Sequence, residues 1–340
     1  MSIAVRSFAK INLGLKIGPL RADGFHGLRT VYQTIALHDV VRVDVRPGSG
    51  IELQCNSPQV PLNQSNTCYR IAERVLKATQ AQGKILIEIE KNLPVQGGLG
   101  AASSNGVATL LGLERALGVQ LSGEDKLRIA AEVGSDLPLF LVGGTVLGKG
   151  RGDEVYPLRD SPTMHLVLVT PRVGVSTPAA FARWDEMVAR DAGLTGTGAA
   201  GTIKKLGQGV FDWPNESIFS QAAFASEPAS GVPAVSGDRA ETLLLDLVRA
   251  GIENDFERVV FPEYPELCEV KRVLEREGAR YASLSGSGSA LYGLFALGEE
   301  AQAAAARMTS AGHAAMATTT LTRDQYWQQI FVSQGERREN

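Results

Sequence analysis

The sequence predicts an α+β protein of two domains, the first over residues 1–160 and the second over 161–333. Three observations lead there. A chain of 340 residues is long enough for two cores of ordinary size. Its first half is rich in alternating, strand-like segments, and near residue 100 a glycine-rich turn leads into a helix-like one. Past Pro157 and Ser161-Pro162, where a boundary is expected, the segments run strand, helix, strand, strand, helix, strand. That is the order of a ferredoxin-like unit.

Composition narrows the function classes. Charged residues are 21% and hydrophobic ones 44%, as in ordinary soluble globular chains. A net charge of -3 disfavours a nucleic-acid or anionic-membrane surface. Cys55, Cys68 and Cys268 are far apart and form no C-x-x-C, so neither a disulfide framework nor a zinc site is implied. This fits a reducing cytoplasm. The N-terminus enters a charged strand-like segment directly, without a signal-peptide apolar stretch, and no run is apolar enough to span a bilayer.

In chain order, Ile11, Leu13, Leu15 and Ile17 alternate with Asn12, Gly14 and Lys16, which predicts a strand with one core face. Lys10 and Asn12 share its other face if no bulge intervenes. On its own, Lys10 reads first as an ordinary solvated strand lysine. In Arg21-Ala22-Asp23-Gly24-Phe25-His26, Asp-Gly signals a turn. The turn is either a plain loop or one whose tip presents an aromatic and a histidine to a base. Strands are predicted over 31–37 and 41–45, and a helix from Asn66 through Leu76. Ile85, Ile87 and Ile89 mark another strand. Ser122 begins a helix expected to turn Leu127, Ala130 and Val133 inward and to stop at Gly134. Asp136, before Leu137-Pro138, opens a short helix, at the least as its cap. Residues 143–155 suggest a hairpin with 147–154 at its tip.

In the second half a strand is expected over 165–170 and a helix after Ser176-Thr177-Pro178. Residues 191–209, rich in Gly, Ala and Thr, suggest a mobile insertion. Helices are expected over 243–260 and 265–277, and strands over 281–284 and 290–295, joined by Ser285-Gly286-Ser287-Gly288-Ser289. An alanine-rich helix (301–310), a threonine-rich strand (315–321) and a charged, disordered tail (334–340) follow.

The stretch with the strongest chemical content is Pro94-Val95-Gln96-Gly97-Gly98-Leu99-Gly100-Ala101-Ala102-Ser103-Ser104. Glycines let a backbone approach a ligand closely. Small residues leave the first N–H groups of the following helix uncovered, and those donors with the helix dipole favour a phosphate. Ser103 and Ser104 can add hydroxyls to a phosphate or its metal. No lysine follows, so this is not a Walker loop. A glycine turn into a serine-capped helix reads the same stretch without any ligand.

Taken together, Ala9-Lys10-Ile11-Asn12, the loop near residue 100 and Ser285-Gly286-Ser287-Gly288 resemble the GHMP kinase superfamily. The segments Arg21-Ala22-Asp23-Gly24-Phe25-His26 and Gly134-Ser135-Asp136-Leu137-Pro138-Leu139-Phe140-Leu141 resemble its branch acting on 4-diphosphocytidyl-2-C-methyl-D-erythritol. The resemblance implies a ribosomal-protein-S5-like N-terminal domain that binds ATP and a ferredoxin-like C-terminal domain, with the site between them. It implies transfer of the ATP γ-phosphate to a substrate hydroxyl, with Mg²⁺ accompanying ATP, in non-mevalonate isoprenoid biosynthesis. The expected catalytic pair is Lys10 and Asp136. Residues 94–104 would wrap the phosphates and Asn66 would lie near the adenine. Asn12 would bond near the reacting end, and Phe25, His26 and Phe181 would hold the cytidine. A monomer or homodimer is expected, with no nucleic-acid or membrane partner. Three departures stand out: Ala101 and Ala102 replace glycines of the family loop, Phe25 replaces a tyrosine, and Gly106-Val107 follows Asn105 in place of the usual alanine. Mevalonate or homoserine kinase remains the alternative within the superfamily, since the ATP loop is shared; the Asp-Gly-Phe-His turn separates them.

Overall fold

The strand β2 (His26–Arg46) organises the first sheet of the computed structural model, which describes residues 2–95, 97–191 and 253–333. One edge of β2 pairs antiparallel along its length with β1 (Ile3–Leu20). The other edge is divided. Residues 40–46 pair with β4 (Lys84–Glu90) and residues 30–33 with β5 (Thr145–Lys149). β3 (Ile51–Cys55) runs parallel to β4, and β6 (Glu154–Pro157) runs antiparallel to β5.

β2 replaces the two strands expected over 31–37 and 41–45. Alternation fails around His38-Asp39, but the cause is an irregularity and not a turn: the register with β1 shifts between Phe8 and Ala9. Asp39 is fully buried there and accepts from Lys91 Nζ (2.5 Å) and from the N–H groups of Asn92 (2.8 Å) and Leu93 (2.7 Å). Those three residues lead into the glycine-rich stretch.

Helices α1 (Thr67–Thr79), α2 (Ala101–Leu117), α3 (Gly123–Val133) and α4 (Leu137–Phe140) belong to this half. Ile71, Val75, Val107 and Leu110 join Val41, Val43 and the three isoleucines of β4 in one core. Ser122 caps α3 by accepting from the Asp125 N–H, and Gly134 ends it. Ala130 and Val133 turn inward as expected, whereas Leu127 is exposed and Ile129 takes the third core position. The hairpin tip is shorter than expected, since β5 continues to Lys149 and β6 begins at Glu154.

The second sheet contains β7 (His165–Val169), β8 (Tyr281–Leu284), β9 (Leu291–Phe295) and β10 (Ala315–Thr319). Its order is β10-β7-β9-β8, with every neighbouring pair antiparallel, as the ferredoxin-like connection requires. With it go α5 (Thr177–Asp191), α6 (Glu257–Glu263), α7 (Pro265–Arg276) and α8 (Gly298–Ser310). The start of the helix expected over 243–260 lies outside the described residues; 253–256 are not helical, and α6 runs on to Glu263. The expected insertion beyond residue 191 and the expected disordered tail also lie outside them.

The two sheets share an apolar interface. Ala9, Ile11, Leu13, Val31 and Ile35 meet Leu166, Leu168, Tyr292 and Leu294, with Leu99 and Ala101 at its margin. Both faces of β1 are therefore buried through its middle. After β10 the chain returns to the first half. Helix α9 (Arg323–Gln329) was not foreseen, although Thr322 and Gln325 form a capping box. Leu321, Tyr326 and Ile330 complete the first core. The Tyr326 hydroxyl donates to the Phe140 carbonyl (2.6 Å), and the Trp327 indole N–H donates to that of Val142 (3.0 Å).

Candidate active site

Two cavities adjoin at Gly98, one within the first half and one between the halves. The first, about 380 Å³, is lined by Pro94, Val95, Gly97 through Ser103, and Asn66. Gly98 and Gly100 have φ of +73° and +68°, a backbone that favours glycine. A Cβ at Gly100 would lie 2.9 Å from the Phe140 ring, and one at Gly98 would fall onto the Ser285 carbonyl oxygen. Gly100 is the N-cap of α2 and offers no capping side chain. The first helical bond runs from the Ser104 N–H to the Gly100 carbonyl (2.9 Å). The N–H groups of Ala101, Ala102 and Ser103 precede it and have no intrahelical acceptor. An anion placed there meets three donors and the positive end of a helix of 17 residues.

Several expected members of this group behave differently. Ala101 and Ala102 are helical, so the two methyl groups strain nothing. Ser103 faces the cavity, but Ser104 is buried and does not line it. The Asn66 amide is committed to structure. Its oxygen caps α1 by accepting from the Cys68 N–H (2.8 Å), and its nitrogen donates to the Pro61 carbonyl (2.7 Å). Gln96 lies outside the described residues.

The second cavity, about 650 Å³, is lined by all six remaining expected residues: Lys10, Asn12, Phe25, His26, Asp136 and Phe181. Gly98 lines both cavities. Lys10 is only 3% exposed despite its charge. Its Nζ donates to Asn12 Oδ1 (2.7 Å), lies 3.7 Å from Asp136 Oδ2 and sits 5.5 Å from the centre of the Tyr32 ring. The bulge of β1 falls after Asn12, so both side chains keep one face. Asn12 is held in turn: its amide nitrogen donates to Thr30 Oγ1 (2.7 Å), which donates to the Gly14 carbonyl (2.7 Å). Burial pushes the Lys10 ammonium below the ordinary lysine pKa, while the charge and hydrogen bond of Asp136 oppose that shift.

Asp136 occupies the N-cap position of α4, yet its side chain makes no capping bond. Its carboxylate instead accepts from the Tyr32 hydroxyl (3.3 Å) at Oδ1. The reading of Asp136 as a simple cap therefore has no geometric support. Tyr32 is buried, and burial with the neighbouring Asp136 charge holds its phenol well above the ordinary value, so it stays a donor.

At the far end, Phe25 is 54% exposed on the turn held by Asp23, whose Oδ1 accepts from the Phe25 N–H (3.1 Å). His26 stacks on Phe181 with centroids 4.8 Å apart and rings 7° from parallel. Its Nε2–H donates to Asp185 (2.8 Å), leaving Nδ1 as the ring atom without a partner among the described residues. Tyr32, Arg151 and Asp185 went unforeseen. A signal existed for Asp185, which follows Phe181 at the i,i+4 spacing of one helix face; the other two reach the site only through sheet register and a hairpin tip. The turn at 285–289 clasps the glycine loop. Ser285 Oγ donates to the Gly98 carbonyl (2.9 Å), and the Ala290 N–H donates to that of Gly97 (3.1 Å).

Comparison with known proteins bears on this geometry. The family model for the GHMP kinases N terminal domain matches residues 66–144, and that for GHMP kinases C terminal matches 239–314. A 4-diphosphocytidyl-2-C-methyl-D-erythritol kinase of Solibacter usitatus is 36% identical over 86% of this chain and 80% of its own length. One of Moorella thermoacetica is 34% identical over 94% of this chain and 99% of its own. A crystal structure of 4-(cytidine 5'-diphospho)-2C-methyl-D-erythritol kinase superposes with a TM-score of 0.68 at 28% identity, covering 93% of this chain and 98% of that one. The homoserine kinase of Cytophaga hutchinsonii matches at 18% identity and a TM-score of 0.58, a likeness of fold alone. What the shared fold leaves open between small-molecule kinases, the near full-length relatives decide: this chain belongs to the GHMP kinase family, in its 4-diphosphocytidyl-2-C-methyl-D-erythritol kinase branch.

Proposed function

We infer that the protein transfers the γ-phosphate of ATP to a hydroxyl of 4-diphosphocytidyl-2-C-methyl-D-erythritol, in non-mevalonate isoprenoid biosynthesis. The observation that carries this is the meeting of two cavities at Gly98, one edged by uncapped helix donors, the other running from an aromatic end to a Lys–Asp end. Triphosphate oxygens in the first cavity face the N–H groups of Ala101, Ala102 and Ser103. The cytidine stacks at the aromatic end, which places the hydroxyl beside Asp136. Asp136 takes the hydroxyl proton as the oxygen attacks the γ-phosphorus, the bond from that phosphorus to the β–γ bridging oxygen breaks, and ADP leaves. Lys10 neutralises charge developing on the reacting oxygens and keeps Asp136 aimed. Phosphoryl transfer asks mostly for such positioning and charge stabilisation.

Among the described residues no three His, Cys, Asp or Glu side chains gather as a self-contained metal site. Mg²⁺ commonly binds through few protein ligands and several phosphate oxygens. The Ser103 hydroxyl, on the cavity side of α2, fits such an ion, whose chemistry is to offset phosphate charge. Among the described residues no helix is long and apolar enough to cross a membrane. Cys55, Cys68 and Cys268 are free thiols, which supports a cytoplasmic setting.

The test is ATP-coupled turnover against a panel of the cytidine-diphosphate substrate, mevalonate, phosphomevalonate and homoserine. Turnover of the first alone is expected. Phosphorylation of mevalonate or homoserine with no competition by cytidine nucleotides would move the chain to another branch of the family.

A further inference from the structure

The cavity has a cation that this chemistry leaves unused. Arg151 sits at the tip between β5 and β6 and lines the second cavity, its guanidinium carbon 5.1 Å from the centre of the Phe25 ring. Three hydrogen bonds to Asp153 set its orientation. Asp153 Oδ2 accepts from Nε (3.1 Å) and from Nη2 (2.6 Å), and Asp153 Oδ1 accepts from the Arg151 backbone N–H (3.1 Å). An arginine side chain carries five N–H donors. Asp153 takes two, and Nη1 has no partner among the described residues.

The position of the tip gives those spare donors a meaning. The Gly152 carbonyl lies 3.5 Å from the Tyr32 hydroxyl, which itself bonds Asp136. Residues 151–152 thus reach from the aromatic end to the reacting end. The part of a cytidine-diphosphate substrate lying between those ends is the diphosphate. Of the two lysine or arginine side chains lining the cavity, Lys10 already bonds Asn12 and faces Asp136. A planar guanidinium also fits phosphate oxygens through parallel N–H bonds, and one pre-set by a carboxylate and an aromatic face loses little freedom on binding.

We propose that Arg151 is the diphosphate-recognition residue of the substrate cavity, oriented by Asp153 and by the face of Phe25. The proposal rests on the cytidine-diphosphate function inferred for this site. One side chain then serves two neighbouring parts of the substrate, because the guanidinium shelves the ring that receives the base and meets the first phosphates beyond it. A guanidinium that served only to hold Phe25 would support cytidine and its phosphates alike.

Calorimetric titration of the full chain with cytidine, cytidine monophosphate and cytidine diphosphate separates these cases. In the wild type, affinity is expected to rise with each phosphate. In Arg151→Gln, the diphosphate is expected to lose about 10-fold or more in affinity, the worth of a charge-assisted bond, while cytidine changes less than about twofold. Arg151→Lys keeps the charge without the fork and should recover part of the loss. Equal losses for cytidine and the diphosphate in Arg151→Gln would overturn the proposal, reducing Arg151 to a support for Phe25. So would an unchanged preference for the diphosphate in a variant whose melting temperature matches the wild type. A wild type that binds none of the three nucleotides would overturn the substrate reading itself, and the proposal with it.

Discussion

The two ends of the proposed substrate cavity are built differently. At the reacting end Lys10, Asn12, Thr30 and Tyr32 are all buried, and their hydrogen bonds and those of Asp136 are anchored on two long strands. At the aromatic end Phe25 stands exposed on a turn, and His26, at the start of β2, meets Phe181 and Asp185 of α5 from the second half. The reacting end is set when the core forms. The base end is assembled from a turn, a helix face and a hairpin tip. Chemistry that depends on sub-ångström placement sits on the rigid part, and recognition that tolerates adjustment sits on the adaptable part.

The largest effect should come from breaking the rigid end. Asp136→Asn is expected to lower kcat by roughly 10²–10⁴ with nucleotide binding retained, as for loss of a positioned proton acceptor. A turnover near wild type would strip Asp136 of that role. The same variant carries a pH signature. Burial lowers the Lys10 pKa and Asp136 opposes the shift, so removing the carboxylate charge lets Lys10 lose its proton at lower pH. The alkaline fall of the residual kcat should move to lower pH; an unmoved limb would mean that Lys10 and Asp136 are uncoupled.

Next in size is the adaptable end. Phe25→Ala is expected to weaken substrate binding about 5- to 150-fold, the range of one lost base-stacking contact, with the KM for ATP scarcely changed. Phe25→Tyr should be neutral. Equal losses for ATP and substrate would show that the ends are not separate.

Gly98→Val probes the joint between the cavities. A side chain there pushes against the Ser285 carbonyl as well as the phosphate approach. Both KM values should therefore rise, that for ATP by ~10-fold, equivalent to about 1.4 kcal/mol. From sequence alone the effect belonged to ATP only, so titrating the two substrates separately distinguishes the accounts. The smallest expected change is in Tyr32→Phe, which leaves the ring beneath Lys10 and removes one long hydrogen bond to Asp136. A fall in kcat of about 5-fold at constant KM is expected, since a bond as long as this one contributes on the order of 1 kcal/mol, below the usual worth of a bond to a charged group. A change in KM alone would place the hydroxyl on the substrate and not on Asp136.

What could be read in advance followed from local chemistry. Glycines, small residues and then helical spacing disclosed the loop and α2, because close approach and an uncapped helix start are short-range properties. Lys10 and Asn12 were legible as a pair because strand periodicity puts them on one side. Tyr32 was not, since its meeting with Asp136, 104 residues later, depends on sheet register and the placing of α4. Arg151 reaches the cavity only at the tip of a hairpin, and Asp185 meets His26 only through packing between the halves. Asn66 was singled out correctly as a helix start: its amide oxygen caps α1, and its amide nitrogen bonds the Pro61 carbonyl. β2 was divided in the reading because a bulge and a turn interrupt alternation alike, and only the pairing partner tells them apart.

The return of the chain through α9 has a consequence for biogenesis. The first half is not closed by its own contiguous sequence, since Leu321, Tyr326 and Ile330 supply part of its interior and Tyr326 props the short helix that follows Asp136. On a ribosome, residues 1–160 emerge well before that wedge exists. The amino-terminal half therefore lacks that part of its packing until the carboxy-terminal end of the chain has been synthesised. The polypeptide completes the surroundings of Asp136 as a last event, and a nascent chain stalled anywhere short of α9 carries this proposed proton acceptor without the Tyr326 contact behind its helix.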